Sequence, residues 1–225
     1  MTKHLERELS KLKNKMLSLC ALAEESVQMA VKSLEGRDEK LAEEVIKRDL
    51  AIDQEEVEVE EECLKLLALH QPVAIDLRFI VAALKINNDL ERIGDLSANI
   101  AERAIILSSE PVVESPINVV DMAGRVKIML KSSLDALVNM DQELARKVLV
   151  MDDEVDDVYR LMYEGIVGRL QKDPSKTILY LNLLSVSRQL ERIADHVTNI
   201  CEDIIYMVAG EIIRHQGPNA VVVKK

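Results

Sequence analysis

Aromatic side chains are nearly missing from this sequence of 225 residues, which has one Phe, four Tyr and no Trp. A core built without large flat rings must be filled by Leu, Ile, Val, Ala and Met, which interdigitate well between helices. Cysteine is scarce too. Cys20, Cys63 and Cys201 are scattered, with no pair at metal-ligand or redox spacing, which excludes a disulfide framework and makes each a small core filler in a reducing compartment. No run approaches the roughly 20 apolar residues of a membrane span, and the opening MTKHLERELSKLKNKM lacks the apolar centre of a signal peptide. The expectation is a cytoplasmic protein, peripheral at most to membrane complexes. Basic charge is outnumbered, 29 Lys and Arg against 40 Asp and Glu, for a formal net charge of -11. Little is available to neutralise phosphates, so nucleic acid is not the expected partner.

Catalytic motifs are also lacking. There is no Gly-rich phosphate loop, no nucleophile elbow and no His-Glu-Xaa-Xaa-His pair. The Glu-Xaa-Xaa-His motifs of ferritin-like di-iron centres are absent. No residue distinguishes itself as a general base, and the chain reads as a non-enzyme.

What the sequence does contain is helical periodicity, punctuated into six segments. In the first, from about Thr2 to Leu34, Leu5, Leu9, Leu12, Met16, Leu19 and Ala23 fall on one helix face. Gly36 ends it, and Asp38 is placed to cap the second, where Val45, Ile52, Val59 and Leu66 recur every seven residues. Pro72 suits the first turn of the third helix. There Phe79, Ile86, Ile93, Ile100 and Leu107 form one heptad series, and Ala83, Leu90, Ser97 and Ala104 its companion. A joint at Ser108–Glu114 precedes a cap-plus-Pro pair, Ser115-Pro116. The fourth helix packs Met122, Val126, Met129, Ser133, Leu137 and Met140, and Asp141 caps the fifth, with its stripe of Leu144, Val148, Met151, Val155, Val158 and Met162. Asp173-Pro174 repeats the cap-plus-Pro device before the sixth, whose order Gly217-Pro218 stops.

The third and sixth helices match at a constant offset of 100: Leu90-Glu91-Arg92-Ile93-Gly94-Asp95 aligns with Leu190-Glu191-Arg192-Ile193-Ala194-Asp195. The second and fifth match at 103, Asp49, Ile52 and Asp53 with Asp152, Val155 and Asp156. Agreement in Glu, Arg and Asp is not demanded by packing. The expected fold is therefore all-α, two pseudo-symmetric three-helix bundles: residues 1–110, residues 111–217, and a tail of residues 218–225.

The repeat carries chemistry. Residues four apart share a helix face, so Asp49 with Asp53, Glu91 with Asp95, Asp152 with Asp156, and Glu191 with Asp195 are four pairs of like charges, each costing a few tenths of a kcal/mol by repulsion. Beside the seam they point away from the core. Two neighbouring helices would bring four carboxylates to one patch in each half. All-oxygen ligation suits Mg²⁺, Ca²⁺ or Mn²⁺, and carboxylate clusters also hold iron. Asn99 and Asn199, one turn along, could add an oxygen or a supporting contact. His196 has no partner in the repeat, since position 96 is Leu, and reads as a surface or packing residue. Arg92 and Arg192 read as salt-bridge partners of acidic neighbours.

The segments Leu90–Asp95, Leu190–Asp195 and Pro72–Arg78, with the four acidic pairs, resemble the PhoU family of phosphate-specific transport accessory proteins. The resemblance implies two pseudo-symmetric three-helix bundles with iron or zinc clusters, or magnesium-type ions, held on the outer face by the acidic motifs. It also implies a cytoplasmic negative regulator of the phosphate-starvation response, an adaptor between the ATPase subunit of the phosphate ABC transporter and a sensor histidine kinase, commonly as a homodimer. The alternatives are another helical scaffold protein or a surface metal-dependent hydrolase.

Overall fold

A computed structural model describes residues 3–110 and 119–213. Six helices follow in order, α1 (Lys3–Gly36), α2 (Glu39–His70), α3 (Ala74–Ser109), α4 (Val119–Asn139), α5 (Gln142–Lys172) and α6 (Thr177–Ala209), with one 3-10 turn at Pro174–Lys176. Helices α1–α3 form one bundle and α4–α6 the other, and there are no strands among the described residues. The halves meet chiefly where α3 lies along α6, with a smaller contact of α1 on α4.

The heptad rows explain this packing. Ile86, Ile93 and Ile100 are buried on α3 with Ala83, Leu90, Ser97 and Ala104, and Val186, Ile193 and Ile200 are buried on α6 with Leu190, Val197 and Ile204. Residues at both a and d positions face partners on more than one side, so the two bundles share one continuous core. Polar ties cross it. His196 Nδ1 lies 2.8 Å from Asp89 Oδ1, the Asn199 amide donates to the same oxygen at 3.2 Å, and Lys85 pairs with buried Asp203 at 3.3 Å. Asn199 thus faces α3 rather than the acidic pairs of its own half, and His196 is a packing residue.

The turns are duplicated as well. Asp38 accepts the Leu41 N–H, and Asp141 those of Glu143 and Leu144; such caps contribute about 1 kcal/mol each. The residues just before them, Arg37 and Met140, are both left-handed with φ 53. Met140, expected in the α4 stripe, is therefore a half-exposed turn residue instead. Arg37 uses its position to donate to the Leu107 and Ser108 carbonyls at 2.6 and 2.7 Å, and to that of Glu110, which satisfies acceptors the end of α3 leaves open.

Three boundaries differ from expectation. Pro72 does not open α3. It stands before the extended N-cap Val73, and its ring disfavours a right-handed helical Gln71, which turns left-handed (φ 45) and closes α2 on the Leu67 carbonyl. Asp173 precedes only the 3-10 turn, and its carboxylate takes the Ser175 hydroxyl and the Lys176 ammonium. Helix α6 stops at Ala209, because Gly210 adopts a left-handed cap (φ 74). The Ser115-Pro116 device, the 110/111 division and the Gly217-Pro218 stop involve residues outside those described.

Candidate metal centre

The acidic pairs sit where α2 meets α3 and where α5 meets α6. In the first half Asp49, Asp53 and Asp95 each offer a carboxylate oxygen, all within 4.8 Å of one another. Glu91 is the fourth member, close enough to feel the charges of Asp95 and Asp53. These carboxylates do not all stand on an open outer wall, as their distance from the seam implied. Asp49 and Glu91 are half-buried, and one oxygen of Asp49 is buried with no hydrogen-bond partner.

Gly94 makes the approach possible. A Cβ there would come within 2.9 Å of Ile52 Cδ1, 3.1 Å of Ile52 Cγ2 and 3.2 Å of Asp49 Oδ1. In the second half Ala194 and Val155, both buried, occupy the repeat-equivalent positions. The methyl gained on α6 is matched by the one lost on α5, so the pair volume is conserved between the repeats.

The second half is related but looser. Asp152 feels the charges of Asp156, Asp195 and Glu191, and its Oδ1 and Glu191 Oε2 are both buried without a partner. Among the described residues, however, no three carboxylates of this half close to the spacing found around Asp49. Residues outside the acidic pairs account for part of the difference. Arg188 holds Glu191 at 2.8 Å and lies over the Tyr159 ring. Positions 88 and 56 of the first half are Asn and Glu instead. Glu56 accepts from Asn87 at 3.0 Å and adds its charge to the neighbourhood of Glu91. Neither Arg188 nor Glu56 was singled out from sequence; Glu56 lies seven residues after Asp49, a signal that was available. Arg92 bonds Asp95 at 2.8 Å and approaches Glu91 at 3.3 Å, so it competes with any cation for those groups.

The electrostatics record the crowding. Burial, then Asp53 and Asp95, push Asp49 up to about 6. Burial, then Asp156 and Asp195, push Asp152 up to about 7. Glu91, Glu191, Asp156 and Asp195 also move up, burial leading in each case. Buried carboxylate oxygens without donors, surrounded by like charge, fit a hard or borderline cation. Asp49, Asp53, Glu91 and Asp95 would hold it in one half, Asp152, Asp156, Glu191 and Asp195 in the other. The cation would supply positive charge that offsets the repulsion. The thiols take no part, since all three are buried and burial pushes Cys20 and Cys63 up to about 12.

The raised values fix a pH dependence. A carboxyl whose folded value exceeds its unfolded one keeps its full stability below the unfolded value and loses it as pH rises through the folded one. Chelator-treated protein should therefore lose stability between about pH 4 and pH 7, as pH rises from the ordinary carboxylate range through the raised values of Asp49 and Asp152. Both are partly solvated, so the loss after discounting for screening is on the order of 1–2 kcal/mol. Excess divalent cation should flatten or reverse this slope, because only ionised carboxylates bind it. Thermal melts across that range, with chelator and with cation, check both.

Comparison with known proteins bears on this arrangement. The PhoU domain family matches residues 16–104 and again residues 119–204, once for each bundle. The chain is 40% identical over 212 residues to a phosphate-specific transport system accessory protein PhoU homolog of Aquifex aeolicus, covering 94% of this chain and 96% of that one. It is 38% identical to the homolog of Pseudomonas aeruginosa, covering 96% and 92%. The crystal structure of PhoU from Pseudomonas aeruginosa superposes with a TM-score of 0.87 at 37% identity, over 92% of this chain and 99% of that one. The phosphate transport system regulatory protein PhoU from Streptococcus pneumoniae gives 0.85 at 32% identity, over 92% and 98%.

Proposed function

Because the chain belongs to the PhoU family, we propose that it regulates phosphate transport as a non-enzymatic, cytoplasmic adaptor, acting by contact between the ATPase subunit of the phosphate ABC transporter and a sensor histidine kinase. With phosphate plentiful, the complex favours the signal-off state, which makes the protein a negative regulator of the starvation response. The relatives are described as accessory and regulatory proteins, in keeping with a chain that carries no recognisable catalytic motif. No helix among the described residues is long and apolar enough to cross a membrane, and the contact proposed with the membrane complex is peripheral.

The observation that carries this reading is that both bundles match the family and both keep their acidic pairs. Those pairs would hold iron, zinc or a magnesium-type ion, which would stiffen the α2–α3 and α5–α6 seams, because a ligand that binds only the folded state stabilises it. The homodimer is part of the same proposal, and sedimentation checks it. The adaptor role is tested by capture of the transporter ATPase and the sensor kinase on the purified, metal-loaded protein. Both should be retained; loss of both would end the proposal.

A further inference from the structure

The outward face of α2 carries three large apolar residues at a spacing of seven, Leu50, Val57 and Leu64, with exposures of 74%, 49% and 53%. Helix α2 packs only on α1 and α3, so this row has no partner within the described residues. At 1.5 Å per residue it runs for roughly 20 Å.

The repeat says that the fold does not require it. The inward positions of α2 and α5 correspond, with Ile52 and Val59 buried on one helix and Val155 and Met162 on the other. The outward positions diverge. Asp153 and Arg160 stand where Leu50 and Val57 are, and Val167 where Leu64 is. Asp153 and Arg160 are exposed. One copy of the scaffold thus places polar groups where the other exposes Leu and Val, and large apolar side chains aligned along one helix face, rather than scattered singly, mark an interaction site.

Charge identifies the occupant. From Leu50 to Leu64 there are seven acidic residues and no Lys or Arg. Lys15 and Lys65 neutralise Glu58 and Glu62. Glu60 and Glu61 stand exposed three and four residues on from Val57, beside the row. A second copy laid along the same face would bring this acidic flank against itself. A helix with an apolar stripe and flanking Lys or Arg meets both features at once.

We propose that the Leu50–Val57–Leu64 face of α2 docks a basic amphipathic helix of a partner protein. This rests on the adaptor reading and supplies it with one contact surface, on the first bundle only.

The probe is a synthetic helix of about three heptads, with Leu on one stripe and Lys on its flanks, titrated into the full chain by anisotropy. Binding should weaken at least about tenfold in the double variant Leu50→Gln/Leu64→Gln, with its helical circular dichroism unchanged. Arg160→Gln, on the corresponding face of α5, should leave binding as it was. A peptide with Glu for Lys, or with its Leu residues moved off the stripe, should not bind. Equal binding by the double variant would reduce the interaction to bulk electrostatics and overturn the proposal. So would a dimer in sedimentation that the double variant dissolves, since a second copy would then be the occupant. If the transporter ATPase and the kinase are captured equally by wild type and double variant, the docking face is wrong and the adaptor reading survives. If neither is captured while the peptide still distinguishes the variants, the adaptor reading fails and the docking face survives.

Discussion

Replacing Asp49 and Asp152 by Asn is expected to stabilise the metal-free protein and to abolish its response to divalent cations. The two parts have one cause. Each Asp has an oxygen buried without a donor, and burial and neighbouring carboxylates hold each above its ordinary range, up to about 6 and about 7. At pH 8 both are ionised, and the folded state carries the full repulsion. An amide removes the charge at nearly constant volume, so each substitution should stabilise the chelated protein by on the order of 1 kcal/mol once screening is allowed for. With cation present the order reverses. A ligand at a hundred times its dissociation constant stabilises the folded state by about 2.7 kcal/mol, and the Asn variant loses that gain. The two melting curves should therefore exchange places between chelator and cation. A variant less stable than wild type in chelator, yet equally responsive to cation, would mean that these carboxylates serve packing alone.

Gly94→Ala is the second large effect, and its sign is set by competition. Alanine gains about 1 kcal/mol over glycine inside a helix. Against this, the new Cβ meets Ile52 at 2.9 and 3.1 Å in a fully buried seam, and overpacking costs about 1–3 kcal/mol. The branched Cγ2 of Ile52 cannot move aside without a new rotamer, so a net loss is expected, together with weaker cation binding as Asp49 is pushed away from Asp95. The repeat supplies the remedy. Ile52→Val removes the Cδ1 that lies nearest and reproduces the Val and Ala that stand at the equivalent positions of the second half. The double variant Gly94→Ala/Ile52→Val should recover most of the lost stability, giving a coupling of about 1–2 kcal/mol in a double-mutant cycle by denaturant unfolding. Additive single effects would show that the close approach is not what limits this position.

How much of this was legible beforehand follows from what each feature depends on. The bundles could be read because heptad rows such as Ile86–Ile93–Ile100 encode burial directly, and all three are buried. The duplication could be read because Glu91-Arg92 and Asp95 recur a hundred residues on. Spacing within one helix also put Asp49 beside Asp53. What spacing cannot encode is how closely two helices approach, and that distance is set by Gly94 against Ile52. Nor could it reveal which cations reach across. Arg188 holding Glu191, and Arg92 holding Asp95, depend on rotamers, as does the turning of Asn199 toward Asp89. The boundary errors share this origin. Pro72 is punctuation in either direction, but α2 stops at Gln71 and α6 at Gly210 by left-handed conformations that other sequence positions could also have adopted.

Each bundle is proposed to hold a cation between its two acid-bearing helices. Crystals of protein purified without chelator, measured across the iron and zinc absorption edges, address it directly. An anomalous peak is expected among Asp49, Asp53 and Asp95, and a second beside Asp152, Asp156 and Asp195. Clean difference maps at both places, in protein whose melting temperature ignores iron, zinc, magnesium, calcium and manganese alike, would contradict it.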